Sequence, residues 1–159
     1  MPSPSSAGSR IRETWERTRD LPGGAHLFSV LLGRMVPYTG TIHPRVEELR
    51  DGYARVSMKD RRRLRNHLHS LHAVAVMNLA EVTSGLALNY GLPSDARAIL
   101  TGLSIEYLKK ARGTLTAEAS LPIPETSQRR EYEFETVVRD REGDEVARAR
   151  ARWLVGPRE

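Results

Sequence analysis

The stretch from Ser70 to Asn89, SLHAVAVMNLAEVTSGLALN, decides the fold. Ser70 is a good N-cap, neither Gly nor Pro occurs before Gly85, and the length far exceeds a strand. The segment therefore reads as one long helix. Its apolar residues, from Leu71 through Val76, Leu79 and Val82 to Leu88, leave no wide polar face. A helix that is apolar nearly all round is buried nearly all round. The rest of the chain has to supply the surface that buries it.

Working outward, the N-terminal side predicts two short helices, IRETWERTRD (11–20), capped by Ser9, and AHLFSVLLGRMV (25–36). TGTIHPRVEEL (39–49) reads as a Pro-interrupted strand, hence irregular or at a sheet edge. In YARVSMK (53–59), Ala54, Val56 and Met58 alternate with Tyr53, Arg55 and Ser57, the period of a half-buried strand. The charged run KDRRRLRNH is a loop or strand end. Beyond the helix come four strand-like segments, at 97–110, 112–121, 129–140 and 145–155. The last two are joined by DREGD, a hairpin turn in which Gly143 supplies a positive φ. The order predicts an α+β fold: an antiparallel sheet of about six strands wrapped around one long central helix, with short N-terminal helices. Residues 1–8, rich in Pro and Ser, are expected to form a disordered tail, and 9–159 a single domain.

The totals limit the chemistry. The 159 residues suit one domain with a real core. No cysteine is present, which excludes a disulfide framework, a thiol nucleophile and a thiolate metal site. No signal-peptide pattern and no apolar run of spanning length occur, so the expected address is the cytoplasm, without a membrane partner. The net charge is +5, and much of the excess is local. Arg50 to His69 carries seven Arg or Lys residues against Asp51 and Asp60.

Inside the long helix polar residues are few. At about 100° per residue, Asn78, Glu81, Ser84 and Gly85 share one narrow stripe. A carboxylate in such a setting has its charged form disfavoured, which moves its pKa toward the range useful for proton transfer. Gly85, one turn after Glu81, is read as removing bulk beside the carboxylate where a substrate would bind. The structural alternative is a buried glutamate satisfied by an arginine or facing a dimer seam. His72 lies nine residues before Glu81, about 13.5 Å of rise and roughly 900° of rotation away, hence on the opposite face. In one chain the two cannot share a reaction centre. If both are functional, the helix start must meet the Glu81 of another subunit, giving two composite sites per dimer.

These residues carry a family resemblance. Asn66, His72-Ala73 and Leu79-Ala80-Glu81 resemble the signature of hotdog-fold thioesterases of the phenylacetate-pathway type, and SIEYLKKARG resembles the strand after the helix in that family. The nearest likeness is to a branch usually labelled only as a domain of unknown function. The resemblance covers roughly residues 26–155. It implies a hotdog fold and an acyl thioester hydrolase acting on acyl-CoA or acyl-carrier protein, without cofactor or metal. By position, Glu81 would be the general base or the nucleophile. The Ala73 N–H would stabilise the oxyanion, Asn66 would add a polar contact, and His72 would fix the helix start or touch the thioester. Thr101 or Ser104 would stand beside the acid. The usual Gly after the histidine is here Ala73, which bears on substrate fit and leaves the N–H in place. The expected assembly is a homodimer or a dimer of dimers. The alternative is a non-catalytic hotdog module that binds acyl-CoA or a lipid-like ligand.

Two other motifs are weaker. His67, His69 and His72 match part of a metallohydrolase ligand set, but the Asp expected beside the third histidine is missing and His72 falls in the helix, so no metal is assigned. The run KDRRRLR has no interleaved aromatics, so it reads as a solvated loop rather than a nucleic-acid surface. Arg61, Arg63 and Arg65, with Lys109 and Lys110, are instead the candidates for the phosphates of the substrate, and Asn78 and Gly85 for its contacts near Glu81.

Overall fold

A computed structural model of the chain describes residues 6–158. The elements follow the order α1 (Ala7–Thr18), α2 (Gly24–Met35), α3 (Pro37–Gly40), β1 (Arg45–Arg50), β2 (Tyr53–Met58), α4 (Ala73–Gly91), β3 (Ala96–Tyr107), β4 (Leu115–Ser120), β5 (Arg130–Arg139) and β6 (Glu145–Pro157). The six strands form one antiparallel sheet in the order β1-β2-β4-β5-β6-β3. It curves around α4, as the apolar circumference of that helix requires. Val76, Leu79, Ala87 and Leu88 of α4 are fully buried against Ala54, Val56 and Met58 of β2 and Leu115 and Ala117 of β4.

The expected α+β plan holds, and its deviations have local causes. The long helix starts at Ala73 with His72, not Ser70, as its N-cap. Ser70 and its neighbours are drawn into an extended, hydrogen-bonded loop. The Asn66 N–H donates to the Ser70 carbonyl, the Leu71 N–H to Ala111 and the His72 N–H to Leu64. With those backbone groups already paired, helical dihedrals become available only after His72. Likewise, α1 begins at Ala7 with Ser6 as cap, its hydroxyl accepting from the Ser9 N–H. Of the tail expected at 1–8, Ser6 to Gly8 thus belong to the helix and its cap; residues 1–5 lie outside the described residues. In 39–49, only Arg45–Arg50 is strand. Pro37 opens a single helical turn and Pro44 is buried just ahead of β1.

The open edge of β1 is covered by α2. Ser29 donates to the Ala25 carbonyl and accepts from the Val46 N–H at 2.9 Å, so a buried strand donor finds a partner on a helix. Trp15 of α1 meets Phe28 of α2 edge-to-face, centroids 5.1 Å apart, and closes this end of the core. At the other end β3 is an edge strand 12 residues long, paired on one side only, by β6. Gly143 has φ 87° in the β5–β6 turn, as that turn demands. Among the described residues no helix is long and apolar enough to cross a membrane.

Candidate active site

Glu81 sits near the middle of α4, half-buried. Among the described residues its carboxylate has neither a hydrogen bond nor an ion pair. Burial alone pushes its pKa above the ordinary carboxylate value. The glutamate satisfied by an arginine within the chain is therefore not what the fold builds. A carboxylate held without a partner in apolar surroundings is costly, and such groups cluster at functional sites.

The wall beside it is aromatic. A Cβ placed on Gly85 would stand 3.9 Å from Glu81 Oε1, but only 3.2 Å from Cη2 and 3.3 Å from Cζ2 of Trp153. The space that Gly85 leaves, expected to receive substrate, is bordered by the Trp153 indole as well as by the carboxylate. The indole is held in turn, with Nε1 donating to Ser84 Oγ at 3.3 Å and that hydroxyl donating to the Glu81 carbonyl at 3.0 Å. Trp153 was missed by the sequence reading although a signal existed. On the inward face of β6 it follows Ala147, Ala149 and Ala151, one large residue after three small ones.

Asn78 is 7% exposed and donates from Nδ2 to the Tyr38 carbonyl, fastening α3 to α4. In this chain its amide therefore serves the fold, not an open pocket. Thr101 and Ser104 are both exposed, and the Thr101 hydroxyl donates to Glu131 at 2.8 Å on the sheet surface.

The start of α4 forms the second half of the site. His72 Nδ1 accepts from the Val74 N–H at 3.1 Å, so the imidazole caps the helix and its ring is fixed. Among the described residues the neighbouring Ala73 N–H has no hydrogen-bond partner, and Ala73 is exposed. A free N–H at the positive end of a long helix can receive a developing oxyanion. Tyr107, at the end of β3, donates from its hydroxyl to the Ala73 carbonyl at 2.7 Å and locks the same turn. Burial pushes the phenol pKa up, keeping it a donor. Asn66 lies close by, but its Oδ1 accepts from the Leu68 and Ser70 N–H groups. Among the described residues its amide Nδ2 has no hydrogen-bond partner.

The cations separate. Lys109 lies between Asp140 at 2.6 Å and Asp144 at 2.7 Å; these hydrogen bonds hold its ammonium charged and tie it to the β5–β6 hairpin. The residue expected at substrate phosphate is thus held by two aspartates of the hairpin. Arg65 is paired with Asp60 at 2.7 Å. Lys110, Arg61 and Arg63 are exposed and have no ion pair among the described residues. Lys110 is brought near the helix start by the Leu71–Ala111 hydrogen bond, whereas Arg61 points into a cleft beside α2. No group of three metal-ligating side chains converges among the described residues.

Helix start and carboxylate are thus both built, on one helix, about 13.5 Å of rise apart. The pattern of the family described as a domain of unknown function (DUF4442) matches residues 24–155. The chain belongs to this family. The DUF4442 domain is also similar to a structural-genomics crystal structure, with 29% identity, TM-score 0.78, and 96% of this chain and 100% of that one covered. It resembles a Pseudomonas aeruginosa protein of unknown function described as a probable thioesterase, with 24% identity, TM-score 0.75, and 87% and 97% of the two chains covered. It also resembles a thioesterase-family protein of Silicibacter pomeroyi, with 19% identity, TM-score 0.70, and 82% and 96% covered. These likenesses establish the hotdog fold for the DUF4442 domain. No curated protein matches its sequence.

The raised pKa of Glu81 has a thermodynamic consequence. A carboxyl whose folded pKa exceeds its unfolded one binds more protons in the native state across the window between the two values. Stability therefore falls as pH rises through that window. Glu81→Gln removes the penalty. The variant is expected to unfold at a higher urea concentration than the parent near pH 8, with the difference vanishing near pH 4. Equal midpoints at both pH values would show that the carboxylate is solvated in the native state.

Proposed function

We propose that the protein hydrolyses acyl thioesters of coenzyme A or of an acyl-carrier protein, with Glu81 as the general base or nucleophile. The observation that carries the reading is the partnerless Glu81 carboxylate, desolvated beside Trp153. As a base it takes a proton from water as the water attacks the thioester carbon. As a nucleophile it attacks that carbon itself, and water then hydrolyses the mixed anhydride. In both routes negative charge develops on the carbonyl oxygen and the thiolate leaves. The Ala73 N–H and the helix dipole behind it answer the charge on oxygen. His72 and Tyr107 hold that N–H in place from either side. The description of similar folds as thioesterases supports the same reading.

Because the Ala73 N–H lies eight residues, about 12 Å of helical rise, from Glu81 along α4, the reaction centre is assembled from two copies of the chain, Glu81 of one and the helix start of the other. The exposed edge of β3, with half-exposed Ile99 along it, offers a surface for that pairing. The test is thiol release over a panel of acyl-CoAs and acyl-carrier proteins, run together with sedimentation to give the assembly state. Turnover by a dimer or a multiple of it is expected. A protein that is monomeric yet fully active would overturn the composite site. Ligand binding without turnover on any thioester would favour the non-catalytic module.

A further inference from the structure

A cleft of about 1080 Å³ opens between α2, the α3 turn and the strands β1–β2. It is separate from the Glu81 site. Arg45 and Ser57, both on its lining, are register partners whose side chains leave the sheet on the face opposite Val46 and Val56, which are buried in the core with α4. Four cations line the cleft: Arg34 of α2, Arg45 of β1, and Lys59 and Arg61 just after β2. None of the four has an ion-pair partner among the described residues. The single carboxylate on the lining, Glu47, is drawn to Arg55 at 3.3 Å.

Converging like charges repel one another and weaken the fold unless something anionic answers them. Random surface charge does not require four cations to face one concavity while the nearest acid is already paired. We propose that this cleft binds a phosphorylated ligand of nucleotide size. The cleft is slightly larger than the roughly 300–1,000 Å³ of small-molecule sites and far larger than one inorganic ion fills, so it has room for a ligand of that class. The lining suits both parts of such a molecule. Val30 and Pro37 offer an apolar wall, and Thr41 and Thr114 share the lining with the cations. His43, also on the lining, is held at φ 48°. Its pKa is pushed down, first by desolvation and then by the positive charge of Arg63 and Arg61, the same field that an anion would meet.

The phosphate chemistry has two sources, a free nucleotide or the nucleotide end of coenzyme A. Titration calorimetry at low salt with ADP, coenzyme A and inorganic pyrophosphate separates them. ADP and coenzyme A are expected to bind, with pyrophosphate weaker. ADP equal to coenzyme A identifies a nucleotide as sufficient; coenzyme A clearly tighter identifies the nucleotide end of the cofactor-sized thiol. The double reversal Arg45→Glu with Lys59→Glu, at exposed positions, should weaken binding by at least about tenfold, as loss of charge-assisted contacts does. Arg10→Glu with Arg17→Glu changes the net charge equally on α1, and should leave affinity unchanged. The proposal is overturned if no probe binds the wild type, if both double variants lose affinity alike, or if a DNA oligonucleotide displaces ADP with an affinity that grows with its length. Glu81→Gln is expected to bind ADP as the parent does, so failure of this site and failure of thioester hydrolysis are read independently.

Discussion

Glu81→Gln is expected to lower the rate of thiol release by about 10²–10⁴, the range a positioned base contributes, while the protein stays folded. The amide has nearly the shape of the carboxyl group, so the packing around this turn of α4 is kept. No ion pair of Glu81 is broken, because none is made among the described residues. Truncating one member of a buried pair confounds rate with stability; here the two separate. The wild-type rate should rise with pH, since the base acts only when ionised. That acid limb should lie above the ordinary carboxylate value, in the direction burial moves the group. The limb should be absent from whatever activity the variant retains. A variant within tenfold of wild type would remove Glu81 from the chemistry and leave the helix start at Ala73 as the only reactive feature.

Local features of the fold were legible in the sequence. The apolar circumference of 70–89 dictated burial on every side. The alternation of Tyr132 and Phe134 with Glu133 and Glu135, and of the β6 alanines with arginines, placed two strands and their inward faces. Gly143 marked the turn between them. Glu81 stood out because a carboxylate interrupts an apolar stripe. What escaped depends on partners distant in the chain. Lys109 looked available for phosphate until the fold set Asp140 and Asp144 on either side of it. Asn78 belonged to the stripe by helical angle, yet its amide meets the carbonyl of Tyr38, forty residues earlier. The cap moved from Ser70 to His72 because Ala111 and Leu64 take the intervening N–H groups. Helical periodicity assigns a residue to a face; it does not name what lies against that face.

Trp153→Ala should give the largest stability loss at the site, about 3–5 kcal/mol by analogy with other buried aromatic truncations, together with a shifted pH profile. Trp153 is 6% exposed and packs on the glycine that makes space for it. Its removal empties the wall beside Glu81. Water then reaches the carboxylate and the desolvation that raises its pKa is relieved. The acid limb of the rate should move down in pH, while Trp153→Phe, which keeps an aromatic ring but loses the N–H to Ser84 and part of the indole's bulk, should move it less. A merely structural tryptophan would change the unfolding midpoint and not the pH profile. The pairing with Gly85 can be isolated by a double-mutant cycle. In the parent, Gly85→Ala forces a Cβ to 3.2 Å from the indole and should destabilise; in the Trp153→Ala background the same methyl enters vacated space and should be neutral or stabilising. Additive effects would mean that the indole does not rest on Gly85. The acid would then owe its desolvation to another wall.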